Sequence, residues 1–146
     1  MTKISDFVGK NVLELGSGTG LVGFSLALCG AKVTLTDATE LLPLLNTNFE
    51  LNKKNLDNNV IGIKEVDWSN SGITLNSTIA HHVATTQTFI KEEQEAGRSY
   101  DYIVLADAIF HERAVVPLVT TLQEIASKLS SPTGAIHKEI ISNHLY

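Results

Sequence analysis

Apolar residues along this chain follow two alternating patterns: short continuous runs, and longer stretches in which they recur at helical spacing. Asn11 to Leu15 reads N-V-L-E-L, a short strand of β-formers and apolar residues. Gly16-Ser17-Gly18-Thr19-Gly20 follows, and Leu21 to Leu28 then predicts an apolar helix stopped at Gly30. Lys32 to Thr36 is a second strand, with Asp37 directly after it. Thr39 to about Leu51 suits a helix, with Leu41, Leu42, Leu45 and Phe49 at helical spacing. Pro43 falls in its first turn, where a missing N–H costs little. Val60 to Val66 is a third strand, ending in Asp67-Trp68. Tyr100 to Ala106 is a fourth, with Asp107 at its end, and Ala114 to Leu129 is a helix with Leu118, Leu122, Ile125 and Leu129 on one face. Ser130, Ser131, Pro132 and Gly134 break that helix, and Ala135 to Ile141 reads as a fifth strand.

Residues 69–99 fit this alternation least. They are polar, rich in Ser, Thr and Asn, and helical in pattern only near Gln87 to Ala96, so they read as an insertion or long loop within one domain of residues 1–146. The alternation elsewhere predicts an α/β fold: a doubly wound, mainly parallel sheet with helices on both faces. In such sheets ligands bind outside the carboxyl ends of the strands. The polar residues Gly16–Gly20, Asp37, Asp67-Trp68 and Asp107 all fall at that edge.

Composition narrows the class. A chain of 146 residues with 43% hydrophobic and 18% charged residues is ordinary for a globular domain. A net charge of −5 argues against a general nucleic-acid or anionic-membrane binder, since both need clustered Lys and Arg. Cys29 is the sole cysteine, which rules out an internal disulfide or cysteine metal cluster, and it reads as a small core residue. His81-His82 lies in the polar stretch without a third ligand at metal spacing, and His111-Glu112 lacks the second histidine of H-E-x-x-H, so no metal is expected. No apolar run approaches the roughly 20 residues of a membrane span, and no secretory signal is read at the N-terminus. The expectation is a cytoplasmic protein, with the nucleus as a second compartment.

The glycine loop carries the chemistry. Between strand and helix the backbone must turn sharply and approach a ligand, and glycines at 16, 18 and 20 remove the side chains that block both. The helix that follows offers unpaired N–H groups and a positive dipole end. Gly18 to Gly23 matches the dinucleotide pattern G-x-G-x-x-G, but the frame that starts directly after the strand, at Gly16, puts Leu21 where the third glycine belongs. Glu14, inside the strand, repels a pyrophosphate and attracts a sulfonium or an α-amino group. The ligand expected is therefore cationic. Asp37 can accept hydrogen bonds from ribose hydroxyls or serve as a carboxylate at a helix N-terminus, or both. Asp67-Trp68 can bind and stack on an adenine, or Trp68 can be a core tryptophan.

The run Val12 to Gly23 (V-L-E-L-G-S-G-T-G-L-V-G) resembles motif I of seven-strand S-adenosylmethionine-dependent methyltransferases. More narrowly, the chain resembles the protein-lysine methyltransferases that modify chaperones, an AAA ATPase and elongation factors. Val33 to Asp37, the Asn-rich stretch Asn46 to Asn52, Asp67-Trp68 and Ala106-Asp107-Ala108-Ile109-Phe110 carry that likeness over about residues 8–130. The resemblance implies S-adenosyl-L-methionine as cofactor, with Gly16, Ser17 and Gly18 as its loop, Asp37 on the ribose, Trp68 at the adenine and Ala106 lining the pocket; the reading of the residues adds Glu14, Gly20 and Asp67 to that cofactor site. It implies methyl transfer to a lysine of a protein substrate, Asp107 orienting the amine and Phe110 packing on it where the branch usually carries tyrosine. It also implies an N-terminal segment and two final strands that this chain lacks, hence a fold truncated at both ends. The other readings are a non-catalytic module that holds the cofactor or a partner, and a nicotinamide-dependent oxidoreductase, which Glu14 and Leu21 disfavour.

Overall fold

The computed structural model describes residues 3–56, 58–68, 75–108, 112–131 and 137–141. After a 3-10 turn at Ile4–Phe7 the elements run β1 (Asn11–Leu15), α1 (Leu21–Leu28), β2 (Lys32–Asp37), α2 (Leu42–Asn52), β3 (Val60–Glu65), α3 (Leu75–Glu95), β4 (Tyr102–Ala106), α4 (Val115–Leu129) and β5 (His137–Ile141). The strands form one parallel sheet in the order β3-β2-β1-β4-β5. The chain winds outward from β1 through β2 to β3, then crosses back to β4 beside β1. That reversal opens a crevice at the carboxyl ends of β1 and β4, where doubly wound sheets take their ligands.

Alternation along the strands feeds two cores, as a sheet buried on both faces requires. Val12, Val33, Leu35 and Val104 pack with Phe24 and Ala27 of α1 and Leu45 of α2. Leu13, Leu15, Ile103 and Leu105 face the other way, onto Phe89 and Ile90 of α3 and Leu118, Leu122 and Ile125 of α4. The register Glu14↔Leu35 and Glu14↔Val104 places Glu14 on the α1 side, in a row that is otherwise apolar. It is the one charged residue of β1, and it is 1% exposed.

Most predicted elements are present, with shifted ends. The second helix starts at Leu42, with Pro43 still in its first turn, and β4 starts at Tyr102. Tyr100 forms an isolated parallel bridge with Ser130 instead. Cys29, expected in the core, caps the end of α1 and is half-buried. The largest difference lies in the stretch read as an insertion. It contains the 21-residue crossover helix α3, where only 87–96 had a helical pattern. Its buried face is hard to read because Thr85, Thr86 and Glu93 occupy positions where apolar residues are expected.

Glu93 is fully buried and explains how so polar a helix docks. Arg98 donates to both of its oxygens, Nε to Oε2 at 2.8 Å and Nη2 to Oε1 at 3.0 Å. The Tyr100 hydroxyl donates to Oε2 at 2.5 Å and lies 2.9 Å from the Thr34 hydroxyl of β2, which is left to donate to it. Lys64 of β3 approaches Oε1 at 3.1 Å. Burial by itself raises the Glu93 carboxyl, but the hydrogen bonds from Arg98, Tyr100 and Lys64 outweigh it and hold the group below its ordinary value. Burial and the Glu93 charge together push the Tyr100 phenol up. The network ties α3 to β2, β3 and the entry to β4. Replacing Glu93 by Ala leaves Arg98 and the buried Tyr100 hydroxyl without their acceptor, and should cost about 3 kcal/mol in urea unfolding. A loss under about 0.5 kcal/mol, the scale of an exposed pair, would show that apolar packing alone docks α3.

Candidate functional site

The loop after β1 is a tight coil of internal hydrogen bonds. The N–H groups of Gly16 and Ser17 both donate to the Thr36 carbonyl, at 3.0 and 2.9 Å, and Gly20 N–H donates to the Ser17 carbonyl at 2.7 Å. This wraps the loop around the end of β2. Gly20 sits at φ +84°, and a Cβ there would fall 2.5 Å from the Phe24 ring, so no side chain fits. A Cβ at Gly16 (φ +74°) would fall 3.2 Å from Cζ2 of Trp68, whose indole packs beneath the loop. Above Gly18 nothing lies within 4 Å of the corresponding position. That side of the loop is open.

Two carboxylates bind this loop from the sheet. Gly18 N–H donates to Oδ2 of Asp37 at 2.6 Å, and Ala38 N–H donates to Oδ1 at 2.8 Å. Asp37 is 8% exposed. Each of its oxygens still has a lone pair to offer outward. On the inner side, Gly23 N–H in the first turn of α1 donates to Oε2 of Glu14 at 3.1 Å. The Ser17 hydroxyl is bonded to the same carboxylate and accepts the Thr36 N–H at 3.2 Å. Burial, helped by the nearby Asp37 charge, outweighs the bonds from Ser17 and Gly23 and leaves the Glu14 carboxyl raised to about 7.

Asp37, Ala38, Glu40, Leu41, Val66, Asp67 and Trp68 line an adjoining cavity of about 200 Å³. Asp67 is held there by α3: its N–H lies 3.2 Å from the Thr85 hydroxyl, which also reaches the Asp67 carbonyl at 3.3 Å. Trp68 is 5% exposed and belongs to the α3/α4 core, so it is a core residue that also forms a wall of the cavity. Ala108 packs near Gly16, its Cβ 3.7 Å from the position a Cβ at Gly16 would take, which closes the loop against the end of β4. Ala106 ends β4 half-buried, and Asp107 follows it exposed at φ +50°, an uncommon conformation that Asp tolerates better than most residues.

The structure thus brings Gly16, Ser17, Gly18, Asp37, Asp67 and Trp68 together around one open crevice, while Asp107 stands exposed just past the carboxyl end of β4. Gly20 supports the loop from its packed side. Glu14, expected to attract a cation, is turned inward onto Ser17 and Gly23 and reaches the crevice through the loop. Phe110 lies outside the described residues. Three contributors escape a motif reading: Gly23, Thr85 and the Glu40-Leu41 turn. Gly23 had a signal, since it is the third glycine of the frame that starts at Gly18. A Cβ there would lie 2.1 Å from Leu35 Cδ2 and 2.5 Å from Glu14 Oε2, so it serves the close helix–strand packing which that glycine provides in dinucleotide folds. Thr85 had none, lying in the stretch read as an insertion. No group of three or more metal-ligating side chains occurs among the described residues.

A glycine loop, an acidic end to β2 and a cavity at the end of β3, all at the reversal of a doubly wound sheet, define a nucleoside-type ligand site. Comparison with known proteins is more specific: the model of the lysine methyltransferase family matches residues 2–80, and the chain belongs to that family. It is 32% identical to the protein-lysine methyltransferase METTL21E of Bos taurus over 123 residues, which cover 84% of this chain and 37% of that protein. It is 31% identical to the protein N-lysine methyltransferase METTL21A of Danio rerio over 122 residues, 84% of this chain and 47% of that one. A SAM-dependent methyltransferase structure from Agrobacterium tumefaciens shares the fold with a TM-score of 0.58 at 18% identity, over 98% of this chain and 43% of the other. The chain therefore spans less than half the length of these relatives.

Glu14 predicts an unusual pH dependence of stability. Its folded-state carboxyl is raised to about 7 from an ordinary 4.5, so the folded chain holds this proton more tightly than the unfolded one. The stabilisation is complete below about pH 4.5 and is lost as pH rises through about 7. Its size is on the order of 3 kcal/mol. Urea unfolding followed from pH 5 to 8 should show the decline, and Glu14→Gln should flatten it. A wild-type curve that rises across this window would contradict the assignment.

Proposed function

We propose that this chain binds S-adenosylmethionine at the Gly16–Gly20 crevice and serves the transfer of its methyl group to a lysine of a protein substrate. The observation that carries the reading is the commitment of the loop's N–H groups. Those of Gly16, Ser17, Gly18 and Gly20 all donate within the protein, Gly18 to a carboxylate, and in the first turn of α1 the Gly23 N–H donates to a second carboxylate. A loop that binds pyrophosphate keeps such donors for the phosphates; this one surrounds its ligand with negative charge. A nucleoside that carries a positive charge and no phosphate fits, and the open side of Gly18 leaves room for it. A nicotinamide dinucleotide does not fit that charge pattern. Membership in the lysine methyltransferase family, and the protein-lysine methyltransferases among the relatives, support a protein amine as acceptor.

In this reading Asp37, fixed by Gly18 and Ala38, accepts the ribose hydroxyls with its outward lone pairs. Asp67 and Trp68 hold the adenine in the adjoining cavity, and Ala106 with the loop walls the remainder. The cofactor, when bound, supplies a methyl group already activated by its sulfonium, so the protein contributes orientation and exclusion of water rather than a nucleophile. Asp107, just past the carboxyl end of β4 in its constrained backbone conformation, accepts a hydrogen bond from the substrate amine and aims its lone pair inward.

Transfer of a tritiated methyl group to lysate proteins tests the function. Asp37→Ala should remove both cofactor binding and transfer, whereas Asp107→Ala should lower transfer at least a hundredfold and leave binding of S-adenosylhomocysteine within about threefold. Binding with no transfer by the unaltered chain would make it a cofactor-holding module rather than an enzyme. Full transfer by Asp107→Ala would remove that residue from the mechanism.

A further inference from the structure

Glu14 has no place in that scheme as a direct contact, yet its surroundings are built for a carboxylate. An apolar residue would continue the row formed by Val12, Leu35 and Val104. Instead a charged group is 1% exposed, and the absence of a side chain at Gly23 leaves room for it, since a Cβ there would lie 2.1 Å from Leu35 Cδ2 and 2.5 Å from Glu14 Oε2. The carboxylate then touches both ends of the turn it underlies: Ser17 in the loop, and the Gly23 N–H in the first turn of α1. Through Ser17 it also connects to the Thr36 N–H, one residue before Asp37.

We propose that Glu14 is a positioning residue whose ionised carboxylate sets the Gly16–Gly20 loop in its ligand-ready shape, so that cofactor loading is coupled to release of a proton from Glu14 to solvent. The inference rests on the cofactor reading above and adds a control to it. An ionised Glu14 can accept from Ser17 and from Gly23 together. A protonated one loses an acceptor site, and its hold on one side of the turn weakens. A ligand cation beside the loop favours the ionised form, because it offsets the repulsion between Glu14 and Asp37. Asp37, from β2, is the charged group that faces Glu14 among the described residues. Leu21–Leu28 of α1, Gly16–Gly20 and the facing Leu35 and Val104 contribute no ionisable side chain apart from Cys29 beyond the far end of α1. With its carboxyl near 7 in the free chain, Glu14 titrates where binding is measured.

The test has one arm without ligand and one with it. In the free chain, the Glu14 side-chain carboxyl followed by carbon NMR should titrate near neutrality, and the amide shifts of Ser17 and Gly23 should move with the same midpoint. A carboxyl that titrates in the usual carboxylate range, or amides that do not follow it, would overturn the proposal. In calorimetry, S-adenosylhomocysteine should bind about tenfold more weakly at pH 6 than at pH 8, as one coupled proton requires. Glu14→Gln should bind equally at both, and a Gln variant that keeps the tenfold difference would also overturn it. If the nucleoside binds at neither pH, the cofactor reading fails, while coincident carboxyl and amide midpoints still establish the hold of Glu14 on the loop.

Discussion

Two carboxylate–amide hydrogen bonds organise this molecule's functional edge: Asp37 to Gly18 and Glu14 to Gly23. The first joins the end of β2 to the loop between β1 and α1, and the second joins β1 to the first turn of α1. Together they turn a glycine loop, by default an anion cradle, into a site with negative character. The rest of the site follows from where these bonds hold the chain. Gly16 rests on Trp68, Trp68 walls the cavity that Asp37 and Asp67 share, and Ala108 closes on the loop from β4.

The arrangement sets stability against function. A carboxyl as buried as Glu14 is most comfortable protonated, and the ionised form that the proposed cationic ligand would favour strains the folded state. Elsewhere the fold handles buried charge differently. Glu93 is at least as inaccessible but is surrounded by Arg98, Lys64 and Tyr100, so it stays ionised and anchors α3 to the sheet. One buried glutamate is satisfied and structural. The other is only partly satisfied, and it lies under the Gly16–Gly20 loop.

Much of this was legible in the sequence. Strand–helix alternation predicts the doubly wound sheet, and its strand ends place the loop, Asp37 and Asp67-Trp68 along one edge. What stayed hidden depended on residues whose role only tertiary contacts define. The stretch that holds the crossover helix α3 shows a helical pattern only over 87–96, because Thr85, Thr86 and Glu93 interrupt its apolar face, and this hides Thr85's grip on Asp67. Glu14 was recognised as significant for its charge, but its direction, inward to Gly23, could not follow from a strand pattern that fixes a face and not a partner. Trp68 reads in the sequence as either a core residue or an adenine platform; the structure makes it a core residue that also walls a cavity.

The central claim is that this loop selects a cationic nucleoside and refuses a pyrophosphate. Parallel calorimetric titrations of the chain at pH 8 with S-adenosylmethionine, NAD and NADP test it directly. Saturable binding of the sulfonium nucleoside in the micromolar range, with no heat from either dinucleotide at millimolar concentration, is the predicted result. Tighter binding of a dinucleotide would contradict the account at its root.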